Sequence, residues 1–210
     1  MAEAELYSVY KGVCVRRTCI LRKPEILRGL RFPSGSVLIV TYPKSVPWLE
    51  EHRAILLGLE QRPSPRVFAT HFHRHMMSES YFKTKPRVLY VMRNPKDVFT
   101  SSFHYYGMAS YLVNPGSQDE FMEKFLDGTI IFGSWFDHVK GWIGAEEQES
   151  ILHIFYEEMI ADLKGSVEKI AKFLGIAGDW KNHFTEAQQQ RFNSVYKDKM
   201  RDVKFKFTWD

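Results

Sequence analysis

Short unbroken apolar runs, separated by segments with helical spacing, set the pattern of this chain. Val37-Leu38-Ile39-Val40 lies between Pro33-Ser34-Gly35 and Tyr42-Pro43, which is how a strand buried on both faces reads. Arg87 to Met92 is a second such run, Ile151 to Phe155 a third, and Arg66 to Ala69 a shorter fourth. Between and beyond them the spacing turns helical. Asn94 and Pro95 supply an N-cap and a first-turn proline for a helix to about Tyr106. Ser117 and Glu120 form a capping box, Phe121 and Phe125 share the face that follows, and Gly128 is the stop. Ser134 opens a helix whose core stripe is Trp135, Val139 and Trp142. Leu163, Val167, Ile170 and Leu174 make another stripe ending at Gly175. Thr185 and Gln188 cap a last helix carrying Phe192, Val195, Tyr196 and Met200. Strands alternating with helices of this length predict an α/β domain, a parallel sheet flanked by helices.

Composition narrows the class. The chain has 210 residues, enough for one domain spanning 1–210, and its 44% apolar and 26% charged residues are those of a globular protein. A net charge of +4 weakly favours anionic ligands. The basic stretch from Lys197 to Lys206 is interrupted by Asp198 and Asp202, so no nucleic-acid-binding tail is expected. Cys14 and Cys19 are the two cysteines, too few for a disulfide framework or a zinc ribbon. Residues Met1 to Tyr10 lack the basic leader and apolar stretch of a signal peptide, and runs such as Val37 to Val40 are too short to span a bilayer. The expectation is a reducing, cytoplasmic setting without membrane contact.

In parallel sheets ligands bind beyond the carboxyl ends of the strands. Thr41-Tyr42-Pro43-Lys44-Ser45 follows the first run directly, and Lys44 with Ser45 has the chemistry to hold a terminal phosphate. Val46-Pro47 stands where a phosphate loop needs glycine, so an ordinary surface lysine in a proline turn is the alternative. Arg93 sits at the next strand's end, just before the helix capped by Asn94; open amide groups there and a planar guanidinium make an anion site, with a structural ion pair as the other reading. His71-Phe72-His73-Arg74-His75, if extended, points three imidazoles to one side. A metal site, a capping role and a general base remain open; no cysteine or carboxylate adjoins them to complete a metal set.

Five blocks in fixed order carry a resemblance: Thr41 to Ser45; Val91-Met92-Arg93-Asn94-Pro95-Lys96-Asp97-Val98; Gly133 to His138; Phe155-Tyr156-Glu157-Glu158; and Gly178 to Thr185. From about Tyr10 to its end the chain resembles the cytosolic sulfotransferases, nearest the hydroxysteroid or alcohol branch. The resemblance implies a phosphate-loop-like fold and transfer of a sulfuryl group from 3′-phosphoadenosine 5′-phosphosulfate (PAPS) to the hydroxyl of a steroid, alcohol or similar small lipophile, without metal. It also implies roles. Lys44 meets the sulfate-bearing phosphate with Ser45 beside it, Arg93 and Ser101 hold the 3′-phosphate, Tyr156 lies near the adenine, and His71 is the catalytic base. The family follows that histidine with Leu-Pro; here Phe72-His73 follows.

Two segments of the family pattern are missing, so the fold is expected to be incomplete. After Ser45 the Gly-Thr-Thr-Trp stretch and its helix are absent, and Val46-Pro47-Trp48 follows. At Ile176/Ala177 the adenine-contacting Thr-Ser-Phe segment and an Arg-Lys-Gly motif are gone. Both joins leave the flanking motifs intact, as in an alternatively spliced or mispredicted product. The dimer motif has Glu186 and Gln190 where the family has Val and Glu, which bears on the usual homodimer. The alternative to the enzyme is a catalytically impaired variant acting as a binding protein; a nucleotide kinase lacks support, because the glycine-lysine loop and metal-binding carboxylates are not apparent.

Overall fold

In the computed structural model the described residues are 7–16, 31–32, 35–44, 66–110, 112–176 and 180–201. Ser45, the join at 45/46 and Ala177 lie outside them. The chain divides into two compact units, Met1–Ala161 and Asp162–Asp210.

The first unit is built on four parallel strands: β3 (Val37–Thr41), β4 (Val67–Thr70), β5 (Arg87–Met92) and β6 (Ile151–Phe155). Their order across the sheet is β4-β3-β5-β6. The four apolar runs are these four strands, with the shortest displaced by one residue to Val67–Thr70. Register aligns Phe68, Leu38, Val88 and Ile151 in one row. All four are buried, and they join Val40, Tyr81, Tyr90 and Trp142 in one apolar cluster. β5, flanked by β3 and β6 and buried from Val88 to Met92, has no polar face.

The helices begin where their caps dictate. Ser78 accepts from the amide of Tyr81 and starts α1 (Glu79–Thr84). Asn94 accepts from the amide of Lys96 and starts α2 (Pro95–Met108). Ser117 and Glu120 form the expected capping box on α3 (Gln118–Leu126), and Ser134 caps α4 (Trp135–Ile143). Phe121 and Phe125 pack with Val98, Phe99 and Tyr106 in a second cluster that reaches Tyr42. On α4 the buried positions are Trp142 and His138, with Val139 packed against the core. A short helix, α5 (Tyr156–Ala161), follows β6 directly.

A hairpin of β1 (Tyr7–Tyr10) and β2 (Val13–Arg16) was not legible as such from the alternation in the sequence. Its turn is Lys11-Gly12, with φ of 48° and 81°, the primed geometry that matches strand twist.

The second unit contains α6 (Leu163–Leu174), α7 (Trp180–His183) and α8 (Glu186–Lys199). Gly175 terminates α6 in the left-handed region, and Thr185 with Gln188 boxes α8, as the spacing predicts. The stripe on α6 is not a core stripe, however: Leu163 and Val167 are 61% and 55% exposed. A helical unit of this size has too little interior to bury them. Glu186 and Gln190 are exposed on α8. Among the described residues, no helix is long and apolar enough to cross a membrane.

Candidate active site

Parallel register brings the chemistry-bearing residues to one edge. Lys44 lies past the end of β3, His71 is the first residue after β4, Arg93 the first after β5, and Tyr156 the first after β6. These are the carboxyl ends of four neighbouring strands, where loops leave the sheet and ligands are met.

His71 is buried, and its Nδ1 lies 2.7 Å from the carbonyl oxygen of Thr41. Because Val40 pairs with Thr70, the next residue on each chain, Thr41 and His71, stand side by side. A carbonyl only accepts, so Nδ1 carries the proton and the ring lone pair is on Nε2. The main chain of β3 thus sets the tautomer that a base needs. The ring of Phe132 meets His71 edge-on at 5.1 Å between centroids.

Arg93 ties the β5 end to the β3 loop. Its Nη1 donates to the Lys44 carbonyl at 2.9 Å, and its guanidinium lies 4.7 Å from the centre of the Tyr156 ring. The Nε atom is buried without a hydrogen-bond partner. Close by, the amide of Asn94 donates to Glu157 at 2.8 Å, so the loop entering α2 is also held to α5. Ser101 stands half-buried on α2, seven residues beyond Asn94 and therefore on the same helix face. Lys44 adopts φ of 67°, uncommon for a side-chain-bearing residue, and its ammonium sits 3.9 Å above the Tyr105 ring.

Behind this edge lies a layer that the sequence only hinted at. His138 is completely buried on α4, 3.0 Å from the Tyr90 hydroxyl through Nδ1, while its Nε2 has no hydrogen-bond partner. Burial holds its pKa well below the ordinary imidazole range, and the neighbouring His73 and His71 act in the same direction. The stripe expected on this helix was Trp135, Val139 and Trp142; it left out His138, because a titratable residue type does not announce itself as core. Trp142 donates from Nε1 to the Phe72 carbonyl at 3.0 Å, fixing the loop after His71. Arg74 grips Glu147 with two bonds of 2.9 and 2.6 Å, and the Tyr81 hydroxyl adds a third at 2.9 Å. The Arg74 bonds, foremost, hold the Glu147 carboxyl down to about 2.

The three imidazoles from His71 to His75 do not point one way. Residues 74–76 form a 3-10 turn rather than an extended strand; the rings of His73 and His75 stay 5.4 Å apart, yet each of the three imidazoles meets a different carbonyl. His71 goes to Thr41, His73 to the Phe132 carbonyl at 2.7 Å, and His75 to the Lys11 carbonyl at 3.1 Å. Among the described residues, no three His, Cys, Asp or Glu side chains converge on one point for a metal ion.

Comparison with known proteins follows the same outline. The family model described as "Sulfotransferase domain" matches residues 34–177 and 175–204. The chain is 37% identical to Sulfotransferase 2B1 of Mus musculus over 211 residues, covering 78% of this chain and 62% of that protein. It is 29% identical to Amine sulfotransferase of Oryctolagus cuniculus over 280 residues, covering 96% of this chain and 93% of that protein. That alignment is longer than the 210 residues of the chain itself. Among solved structures, mouse sulfotransferase SULT7A1 complexed with PAP superposes with a TM-score of 0.70 at 25% identity, over 94% of this chain and 95% of that one.

Proposed function

The chain belongs to the sulfotransferase family, and on that premise we propose that it transfers a sulfuryl group from PAPS to the hydroxyl of a steroid or similar small apolar alcohol. The observation that carries the reading is the meeting of Lys44, His71, Arg93 and Tyr156 at the carboxyl ends of adjacent parallel strands. The relatives add weight: one named for 3-alpha-hydroxysteroid is 28% identical over 96% of this chain.

The residues present fit a doubly phosphorylated nucleotide. Arg93 offers a planar fork beside an aromatic ring, with a buried Nε lacking a partner, at the entrance to α2, where the amides of Asn94 and Lys96 are already taken by Glu157 and by the Asn94 side chain. Arg93 and Ser101 take the 3′-phosphate and Tyr156 lies against the adenine. Ser45 completes the set in sequence. PAPS supplies the activated sulfuryl group. His71, through Nε2, accepts the proton of the acceptor hydroxyl as its oxygen bonds to sulfur and the bond from sulfur to the 5′-phosphate breaks. Lys44 offsets the negative charge left on that phosphate oxygen. Alignment and charge neutralisation suffice for such a transfer.

A second reading, a binding protein without turnover, is favoured by one observation: Lys44 is turned onto Tyr105, in a loop whose glycine stretch is missing from the sequence. One experiment separates the two. PAP (3′-phosphoadenosine 5′-phosphate) is titrated calorimetrically into the chain and into His71→Ala, and labelled sulfate transfer to a steroid alcohol is then measured. The enzyme predicts binding by both and a loss of transfer in His71→Ala of about 10²- to 10⁴-fold. Binding without transfer by the parent chain supports the second reading, and a cooperatively melting chain that binds no PAP refutes both nucleotide roles.

A further inference from the structure

Phe132 and Gly133 both have positive φ, 67° and 72°. Glycine adopts this region freely, but a phenylalanine held there is strained. Something must hold it, and three bonds do. The amide of Phe132 donates to the Cys14 carbonyl at 2.6 Å, and the Tyr42 hydroxyl donates to the Gly133 carbonyl at 2.6 Å. The Phe132 carbonyl faces His73 Nε2 at 2.7 Å.

The geometry fixes the state of His73. Its partner is a carbonyl, so Nε2 must carry hydrogen. Desolvation lowers the His73 pKa more than the Phe132 bond raises it, which makes the neutral Nε2–H form the resting one. His73 is 3% exposed, and a β-carbon at Gly133 would lie 3.4 Å from its Nε2 and 3.1 Å from Val13. The fit on the Gly133 side of this bond is therefore tight. The Phe132 ring it restrains is the one that meets His71 edge-on at 5.1 Å and lies 6.5 Å from Phe72.

From this arrangement we propose that His73 is a positioning residue: by donating from Nε2 to the Phe132 carbonyl it holds the Phe132 ring against the His71 imidazole. One wall beside the base is thereby set by a histidine two residues along the chain, at a position where proline, having no side-chain donor, could not do it. The consequence for acceptor binding rests on the function proposed above; the placement of the ring does not.

The test has a spectroscopic arm and a kinetic arm. Imidazole C–H resonances are recorded by NMR, with His71 identified by its loss in His71→Ala and the ring-current contribution of Phe132 by Phe132→Leu. In a cooperatively melting His73→Leu, the His71 resonance moves toward its position in Phe132→Leu. His73→Gln, whose amide nitrogen replaces Nε2, restores it. Acceptor KM rises about fivefold in His73→Leu, the worth of one hydrogen bond, and returns in His73→Gln, while PAP affinity is unchanged in both. Should His73→Leu fail to fold, His73→Asn, with its shorter amide, replaces it against His73→Gln. An unmoved His71 resonance, or glutamine no better than leucine or asparagine, overturns the proposal. Absence of transfer by the parent chain sinks the proposed function instead and leaves the spectroscopic arm to decide the role of His73.

Discussion

At Arg93 a single side chain performs two geometric tasks that only a planar guanidinium combines. One edge donates to the Lys44 carbonyl while the flat face covers Tyr156. A lysine there retains the charge but neither forks nor stacks. Under the proposed function, Arg93→Lys weakens PAP by about tenfold or more, since a hydrogen bond to a charged group contributes roughly 1.5–3 kcal/mol and tenfold is about 1.4 kcal/mol. Calorimetric titration of the parent and variant checks this; equal affinities would mean that a point charge is all the nucleotide uses. The residue scale is also where sequence said least about state. Lys44, His71, Arg93, Ser101 and Tyr156 were all nameable from ordered motifs, yet nothing in the order of residues indicates that Nδ1 of His71 meets the Thr41 carbonyl or that Lys44 turns onto Tyr105. Those facts depend on strand register and on a helix face brought in from sixty residues away along the chain. His73 was legible as one of three clustered imidazoles and as a departure from a family step, but not as a partner of the Phe132 carbonyl.

Among the elements, those with a local mechanism were legible. Strand β5 keeps the bounds of its apolar run because burial from Val88 to Met92 leaves no room for a polar residue inside, whereas β6, at the sheet edge, keeps its bounds with His153 inside it and Phe155 exposed. Helix starts followed caps for the same kind of reason: an exposed amide needs an acceptor, and Asn94, Ser117, Ser134 and Thr185 each supply one. The hairpin of β1 and β2 was missed because its turn, Lys11-Gly12, is a weak variant of the asparagine-glycine signal. On α6 the periodicity gave the helix but not its burial, since spacing says which residues share a face and not what covers it. The reciprocal box at α3 makes a measurable claim. Ser117 accepts from the Glu120 amide while Glu120 accepts from that of Ser117. Ser117→Ala removes one arm and lowers stability by about 1 kcal/mol in urea unfolding with no change in slope. A loss below about 0.3 kcal/mol would indicate that solvent satisfies the freed amide equally well.

In the unit spanning Met1–Ala161 as a whole, the buried imidazoles couple stability to pH. His138 and His73 are both held below the ordinary value of 6.5, His138 well below it, chiefly because burial opposes a charged ring. In the unfolded chain both rings titrate near 6.5, so below that pH the unfolded state binds more protons than the folded one. Stability is therefore complete above about pH 7 and falls as pH drops through 6.5, by up to about 1.4 kcal/mol per pH unit for each histidine until its folded pKa is reached. Glu147 acts elsewhere on the axis. Its carboxyl, lowered from 4.5 to about 2 by Arg74, adds stability that is present above 4.5 and lost only as pH falls toward 2. The two contributions can thus be read separately. Unfolding free energies at pH 7.5, 6.5 and 5.5 sample the histidines alone, at about one unit above, at and below the 6.5 reference. His138→Gln, which keeps a polar side chain beside Tyr90 but cannot titrate, starts less stable than the parent chain and shows a shallower fall over that range. Parallel profiles for parent and variant would place the proton uptake on other groups and remove His138 from the account of acid sensitivity.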